Sequence, residues 1–108
     1  MISNRSPFEA IADPTRRAIL DSLLHSGPTR AGDLAKGFPQ MSRPAVSKHL
    51  RVLRGAQLVV QDSRGREIWY EVNPSPLSRV QSWLEDYQGY WESRLEALKE
   101  SSESEKTF

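Results

Sequence analysis

Seven prolines, most of them beside a capping side chain or a glycine, decide where this 108-residue chain can be helical. Proline has no N–H and a fixed φ, so it fits the first turn of a helix and interrupts one elsewhere. Ser6-Pro7 and Asp13-Pro14 read as helix starts, because Ser and Asp accept hydrogen bonds from the open N–H groups of a first turn. Ser42-Arg43-Pro44 is a third such start. Gly27-Pro28 reads as a stop at about Ser26, with the glycine as a left-handed cap. Asn73-Pro74-Ser75-Pro76 breaks the chain once more.

The apolar residues between these breaks have helical spacing up to residue 54. Phe8 and Ile11 are the expected buried side of a short first helix. Ile19, Leu20, Leu23 and Leu24 mark the second. Thr29 is the candidate cap of a short third helix carrying Ala31, Leu34 and Ala35 and ended by Gly37. Val46, Leu50 and Leu53 fall at i, i+4 and i+7 of the fourth. The period then changes. Leu58-Val59-Val60 and the run from Ile68 to Val72 read as strands, separated by the turn Asp62-Ser63-Arg64-Gly65-Arg66. A last helix is expected over about 77–98, with Leu77, Val80, Leu84, Tyr87, Trp91, Leu95 and Leu98 in 3-4 spacing and Trp83 and Tyr90 widening the stripe. Residues 100–108 are polar and expected to form a disordered tail. The sequence thus predicts a mainly α fold with a small β-hairpin wing. This is an α+β winged helix-turn-helix of about five helices and a two-stranded wing, in one domain over residues 1–99.

Composition removes several functional classes. Cysteine is absent and only His25 and His49 are present, so disulfides, thiolate chemistry and histidine-rich metal sites are excluded. No cofactor and no metal are expected. Asp13, Asp21 and Asp33 are accounted for as caps or solvated groups, and no nucleophile–base pair is apparent, so no enzymatic activity is expected. No apolar run approaches the ~18 residues of a membrane span. Met1-Ile2-Ser3-Asn4-Arg5 lacks the apolar stretch of a secretory signal, so a cytoplasmic location is expected.

The net charge of +1 conceals an asymmetry. Residues 1–66 carry eleven Lys/Arg against five acids, a net of +6, and residues 67–108 carry four against nine, a net of −5. A basic segment points to a polyanionic partner. The fourth helix concentrates this charge. With its apolar stripe inward, it offers Arg43, Ser47, Lys48, Arg51 and Arg54 to solvent, and every charge on it is positive. Small hydroxyls allow close approach to a groove, helix N-termini bind phosphate, and arginine can grip guanine. Arg64 and Arg66 flank Gly65 in the wing, where they can meet the DNA backbone or a minor groove. His49 has two readings, a DNA contact or a half-buried residue holding a neighbouring helix or the wing. His25 closes the second helix, where a cation complements the dipole.

Three blocks resemble the ArsR-type winged-helix repressors: Ala12-Asp13-Pro14-Thr15-Arg16-Arg17, Asp33-Leu34-Ala35, and Ser42 through Arg54. The C-terminal Trp83-Leu84-Glu85-Asp86-Tyr87 and Tyr90-Trp91-Glu92 are similar to the metal-independent, autorepressor-like branch. The resemblance implies a homodimeric transcriptional repressor on a palindromic operator in double-stranded DNA. Its DNA contacts would fall on Ser42, Arg43, Ser47, Lys48 and Arg51, with Arg64 and Arg66 on the backbone; Pro44, His49 and Arg54 complete the expected DNA-binding set. Arg43, Ser47 and Lys48 would read bases. The dimer interface would draw on the first and last helices, through Phe8, Ile11, Val80, Trp83, Leu84, Tyr87, Tyr90, Trp91 and Leu95. The third helix lacks the cysteines, and the last helix the Asp/His sets, with which metal-sensing relatives bind metal. The family usually places Gly just before the first wing strand, where this chain has Gln57. Either the helix stops near Gly55 or Gln57 takes a left-handed conformation. A small-molecule or protein effector stays open, since Trp83, Tyr87 and Trp91 could line a pocket. The alternative function is a protein-interaction module docking a partner through the aromatic last helix.

Overall fold

The computed structural model describes residues 6–106. Met1–Arg5, where no signal is expected, and Thr107–Phe108 of the polar tail lie outside the described residues. The chain divides into two compact units, Met1–Leu77 and Ser78–Phe108. Along the chain the elements are α1 (Pro7–Ala10), α2 (Pro14–Ser26), β1 (Thr29–Arg30), α3 (Ala31–Lys36), α4 (Arg43–Gly55), β2 (Val59–Arg64), β3 (Glu67–Val72) and α5 (Leu77–Lys106).

The three proline-led starts form as their side chains require. Ser6 accepts from the Phe8 N–H at 3.1 Å, Asp13 from Arg16 N–H at 3.0 Å and Ser42 from Ala45 N–H at 3.2 Å. A four-residue helix such as α1 is too short to hold itself. Arg16 and Arg17 reach back to support it. Arg16 Nε donates to the Ala10 carbonyl at 2.7 Å, and Arg17 Nη1 donates to Ile11 at 2.8 Å. The buried side of α1 is Pro7 and Ala10, not Phe8 and Ile11. Phe8 is exposed and Ile11 only partly buried at the edge of the core. Leu24 is also exposed, one position beyond the apolar stripe of α2.

The core of the first unit joins Ala10, Ile19, Leu20, Leu23, Leu34, Val46, Leu50, Leu53, Ala56, Leu58 and Val59. No polar or charged residue is buried in it among the described residues. Gly27 ends α2 at φ +74° and ψ −161°, a backbone region open essentially to glycine. Both readings of the end of α4 hold: the helix ends at Gly55, and Gln57 is left-handed. The Leu58 N–H bonds to the Leu53 carbonyl at 3.0 Å and the Gln57 N–H to Arg54 at 2.9 Å. These are the two bonds of a Schellman motif, whose next-to-last position is left-handed. Gln57 occupies that position at φ +62°. Leu53 and Leu58, both fully buried, make the apolar contact that accompanies the motif. Asn73, just past β3, fastens the same corner, donating from its side chain to the Gln57 carbonyl at 2.8 Å.

The sheet has three antiparallel strands in the order β1-β3-β2, where the sequence predicts two. Thr29 and Arg30 pair with Tyr70 and Trp69. Thr29 therefore does not cap α3, and its hydroxyl donates to the Gly27 carbonyl at 2.8 Å instead. β2 and β3 pair from Val59↔Val72 to Arg64↔Glu67, leaving a two-residue turn of Gly65 and Arg66. The turn is thus shorter than the five residues expected. Gly65 supplies the positive φ, +63°, that tight hairpin turns need.

The second unit is the body of α5. The helix continues to Lys106, eight residues past Leu98, so residues 100–106 are helical rather than a tail. Nothing between Gly89 and Lys106 is a glycine or proline to stop it. Its rings stack along one side, Trp83 on Tyr87 at 5.3 Å and Tyr87 toward Tyr90 at 6.3 Å between centroids. Val80 is buried, whereas Trp83, Leu84, Tyr87, Tyr90, Trp91 and Leu95 are each about half exposed.

Candidate nucleic-acid interface

The sequence pattern of α4 becomes two faces. Val46, Leu50 and Leu53 are buried, and Ser42, Arg43, Pro44, Ser47, Lys48, Arg51 and Arg54 are exposed. Of these cations none makes an ion pair with a described residue, unlike Arg30, Lys36 and Arg64. Uncompensated basic side chains on one rigid helix attract a polyanion without first breaking internal pairs. Arg51 and Arg54 line a wide cleft of about 770 Å³ with Gln57, Val59 to Gln61 and Asn73.

His49 stands apart from this row. It is half-buried, and its Nδ1 lies 4.0 Å from Asp13 Oδ2 at the N-cap of α2. That nitrogen is buried without a hydrogen-bond partner. Of the two sequence readings of His49, the contact with a neighbouring helix is the one this placement favours. Asp13 is held below its ordinary pKa, chiefly by the hydrogen bond from the Arg16 N–H, with the Arg16 and His49 charges adding against partial desolvation.

The wing arginines differ from each other. Arg64 Nε is bonded to Asp62 at 2.9 Å, and its guanidinium lies 4.5 Å over the Trp69 ring. Arg30 approaches the same ring at 6.0 Å, and Trp69 Nε1 donates to Glu67 at 3.1 Å. Arg64 is thus engaged within the wing, and Arg66 has no ion-pair partner among the described residues. Sequence reasoning did not single out Arg30 or Trp69. The signal was there: Tyr70 and Val72 pack on the core, so period-2 alternation puts Trp69 on the polar side of the strand between Glu67 and Glu71.

Comparison with known proteins bears on this geometry. A helix-turn-helix domain model matches residues 11–62, which hold α2, α3, α4 and most of β2. The HTH-type transcriptional regulator Rv2034 of Mycobacterium tuberculosis is 39% identical over 97% of this chain and 96% of its own length. An ArsR-like transcriptional regulator from Rhodococcus sp. RHA1 superposes with a TM-score of 0.65 at 36% identity, covering 86% of each chain. The chain belongs to the ArsR family. This ArsR protein is a DNA-binding transcriptional regulator, from a family of regulators rather than enzymes. The transcriptional repressor SdpR of Bacillus subtilis is also similar, 42% identical over 71% of this chain and 83% of SdpR. Among the described residues of the ArsR chain no helix is long and apolar enough to cross a membrane. No group of three or more His, Cys, Asp or Glu among them is placed to hold a metal ion.

Proposed function

We propose that the chain is a homodimeric, cytoplasmic repressor that binds a palindromic operator with α4 in the major groove. The observation that carries this reading is the exposed row Ser47, Lys48, Arg51 and Arg54, free of ion pairs with described residues, on a helix fixed from behind by three buried residues. Ser42 and Pro44 sit where the helix N-terminus meets the backbone, Ser47 and Lys48 read base edges, and Arg51 and Arg54 hold phosphates. Repression is steric, since an occupied promoter excludes polymerase. The likeness to a transcriptional repressor supports that sign of regulation.

The second copy covers the aromatic side of α5. Seven apolar side chains from Trp83 to Leu98 are about half exposed or more, a broader apolar surface than a monomer leaves bare without reason. Phe8 on α1 and Ile11 at its C-cap are the remaining dimer residues. A two-fold pair sets the recognition helices about 34 Å apart, one turn of duplex. Salt titration of single variants tests the DNA contacts. Arg51→Ala is expected to weaken binding to every duplex and to lower the slope of log K against log salt by about 1. Lys48→Ala is expected to reduce the preference for the operator over random duplex. An Arg51→Ala protein with the parent affinity and slope would remove α4 from the interface.

A further inference from the structure

Arg43 and Arg66 come from different elements, the first residue of α4 and the wing turn, yet both line one pocket of about 430 Å³. Ala31, Gly32 and Asp33 of α3 form another wall. The Arg43 guanidinium lies against Gly32, where an added Cβ would stand 3.4 Å from Nη2. The pocket's two carboxylates are already engaged. Asp33 takes Arg30 at 2.9 Å and Lys36 at 3.9 Å, and Glu67 takes Arg30 at 3.4 Å. Asp33 holds the Arg30 guanidinium more firmly charged than usual. Arg43 and Arg66 remain exposed and without an ion-pair partner among the described residues. Four cations thus face two carboxylates in one concavity, and the two surplus charges are both guanidinium forks, the shape that matches phosphate oxygens.

We propose that this pocket is a phosphoryl-anion site in which Arg43 of α4 and Arg66 of the wing share one phosphate. The phosphate is either that of a DNA backbone or the phosphoryl group of a small solute competing for the same place. Only the first source rests on the operator-binding reading. The assignment moves Arg43 from base reading, expected from the sequence, to backbone contact. A phosphate gripped from both elements also fixes the angle of the wing on the duplex.

The test is a double-mutant cycle of Arg43→Gln and Arg66→Gln, read on operator duplex, on scrambled duplex and on inorganic pyrophosphate by calorimetry. Two guanidiniums on one phosphate are coupled, so each single variant is expected to lose about tenfold in duplex affinity and the double well short of a hundredfold. The ratio of operator to scrambled affinity is expected to stay unchanged. Thermal melts of all three variants check folding, and Arg43→Lys, which keeps charge but loses the fork, is expected to fall between parent and Arg43→Gln. Coupling on duplex without pyrophosphate heat identifies the backbone phosphate as the source. Pyrophosphate heat that needs both arginines, with displacement of duplex, identifies a solute. If the parent binds no duplex, the operator reading fails, and the pyrophosphate heat alone decides the pocket. Multiplicative losses on duplex together with no arginine-dependent pyrophosphate heat overturn the proposal, as does an Arg43→Gln loss confined to the operator.

Discussion

Gln57 carries a backbone conformation that suits glycine, at the point where α4 hands over to the wing. The Schellman bonds of Leu58 and Gln57 and the Asn73 side chain fix it there. Gln57→Gly relieves the left-handed strain and is expected to stabilise the fold by about 1 kcal/mol, read as a higher urea midpoint at unchanged m. An unchanged or lower midpoint would show that the Gln57 side chain offsets the strain. At Asp13 the prediction concerns pH. Its folded pKa is depressed, mainly by the Arg16 N–H, so its contribution is present above the ordinary carboxylate pKa and is lost as pH falls through the lower, folded value. The melting-temperature gap between the parent and Asp13→Ala is therefore expected to be constant near neutrality and to close in acid. A gap independent of pH would remove the carboxylate from the cap. The sequence carried both features only in part. The Asp13-Pro14 start was legible, because capping is local. The roles of Arg16 and Arg17 on the α1 carbonyls were not, because they depend on where α1 folds back.

Among the elements, α4 was the most legible, since cap, proline, buried stripe and basic face all agree along thirteen residues. β1 was missed because a two-residue strand has no period of its own. Thr29 carries a hydroxyl suited to capping, and only pairing with β3 shows it to be a strand. The wing was foreseen as a hairpin, but the Arg64–Trp69–Arg30 arrangement is long-range and had no local signature. In α5, Gly89 costs the helix interior about 1 kcal/mol against alanine. A Cβ at Gly89 would meet no atom within 4 Å. It stands across the helix from Tyr87 and Trp91, on the side of Glu85 and Glu92, so Gly89→Ala is expected to raise the helicity of α5 without weakening self-association. Weaker association in sedimentation runs would place another backbone against Gly89.

For the whole molecule, the charge division matches its parts. The basic first 66 residues carry α4 and the wing arginines, and the acidic remainder includes α5. With the proposed second copy on the apolar side of α5, the carboxylates on its other side stay in solvent. Tyr87→Glu puts a charge in the middle of that apolar side. It is expected to give a folded monomer by sedimentation, with operator affinity reduced at least a hundredfold, since one half-site then binds alone. A Tyr87→Glu protein that remains dimeric would move the interface elsewhere. The proposed function has this ArsR protein recognise a two-fold duplex sequence through α4. Selection from random duplexes with purified protein, followed by salt titration of the enriched sequence, tests it most directly. The enriched sequence is expected to be an inverted repeat with half-sites one helical turn apart, bound with an affinity that falls steeply with salt. A pool with no enrichment over weak, salt-sensitive background would contradict the proposed function and turn attention to α5 as a docking surface for another protein.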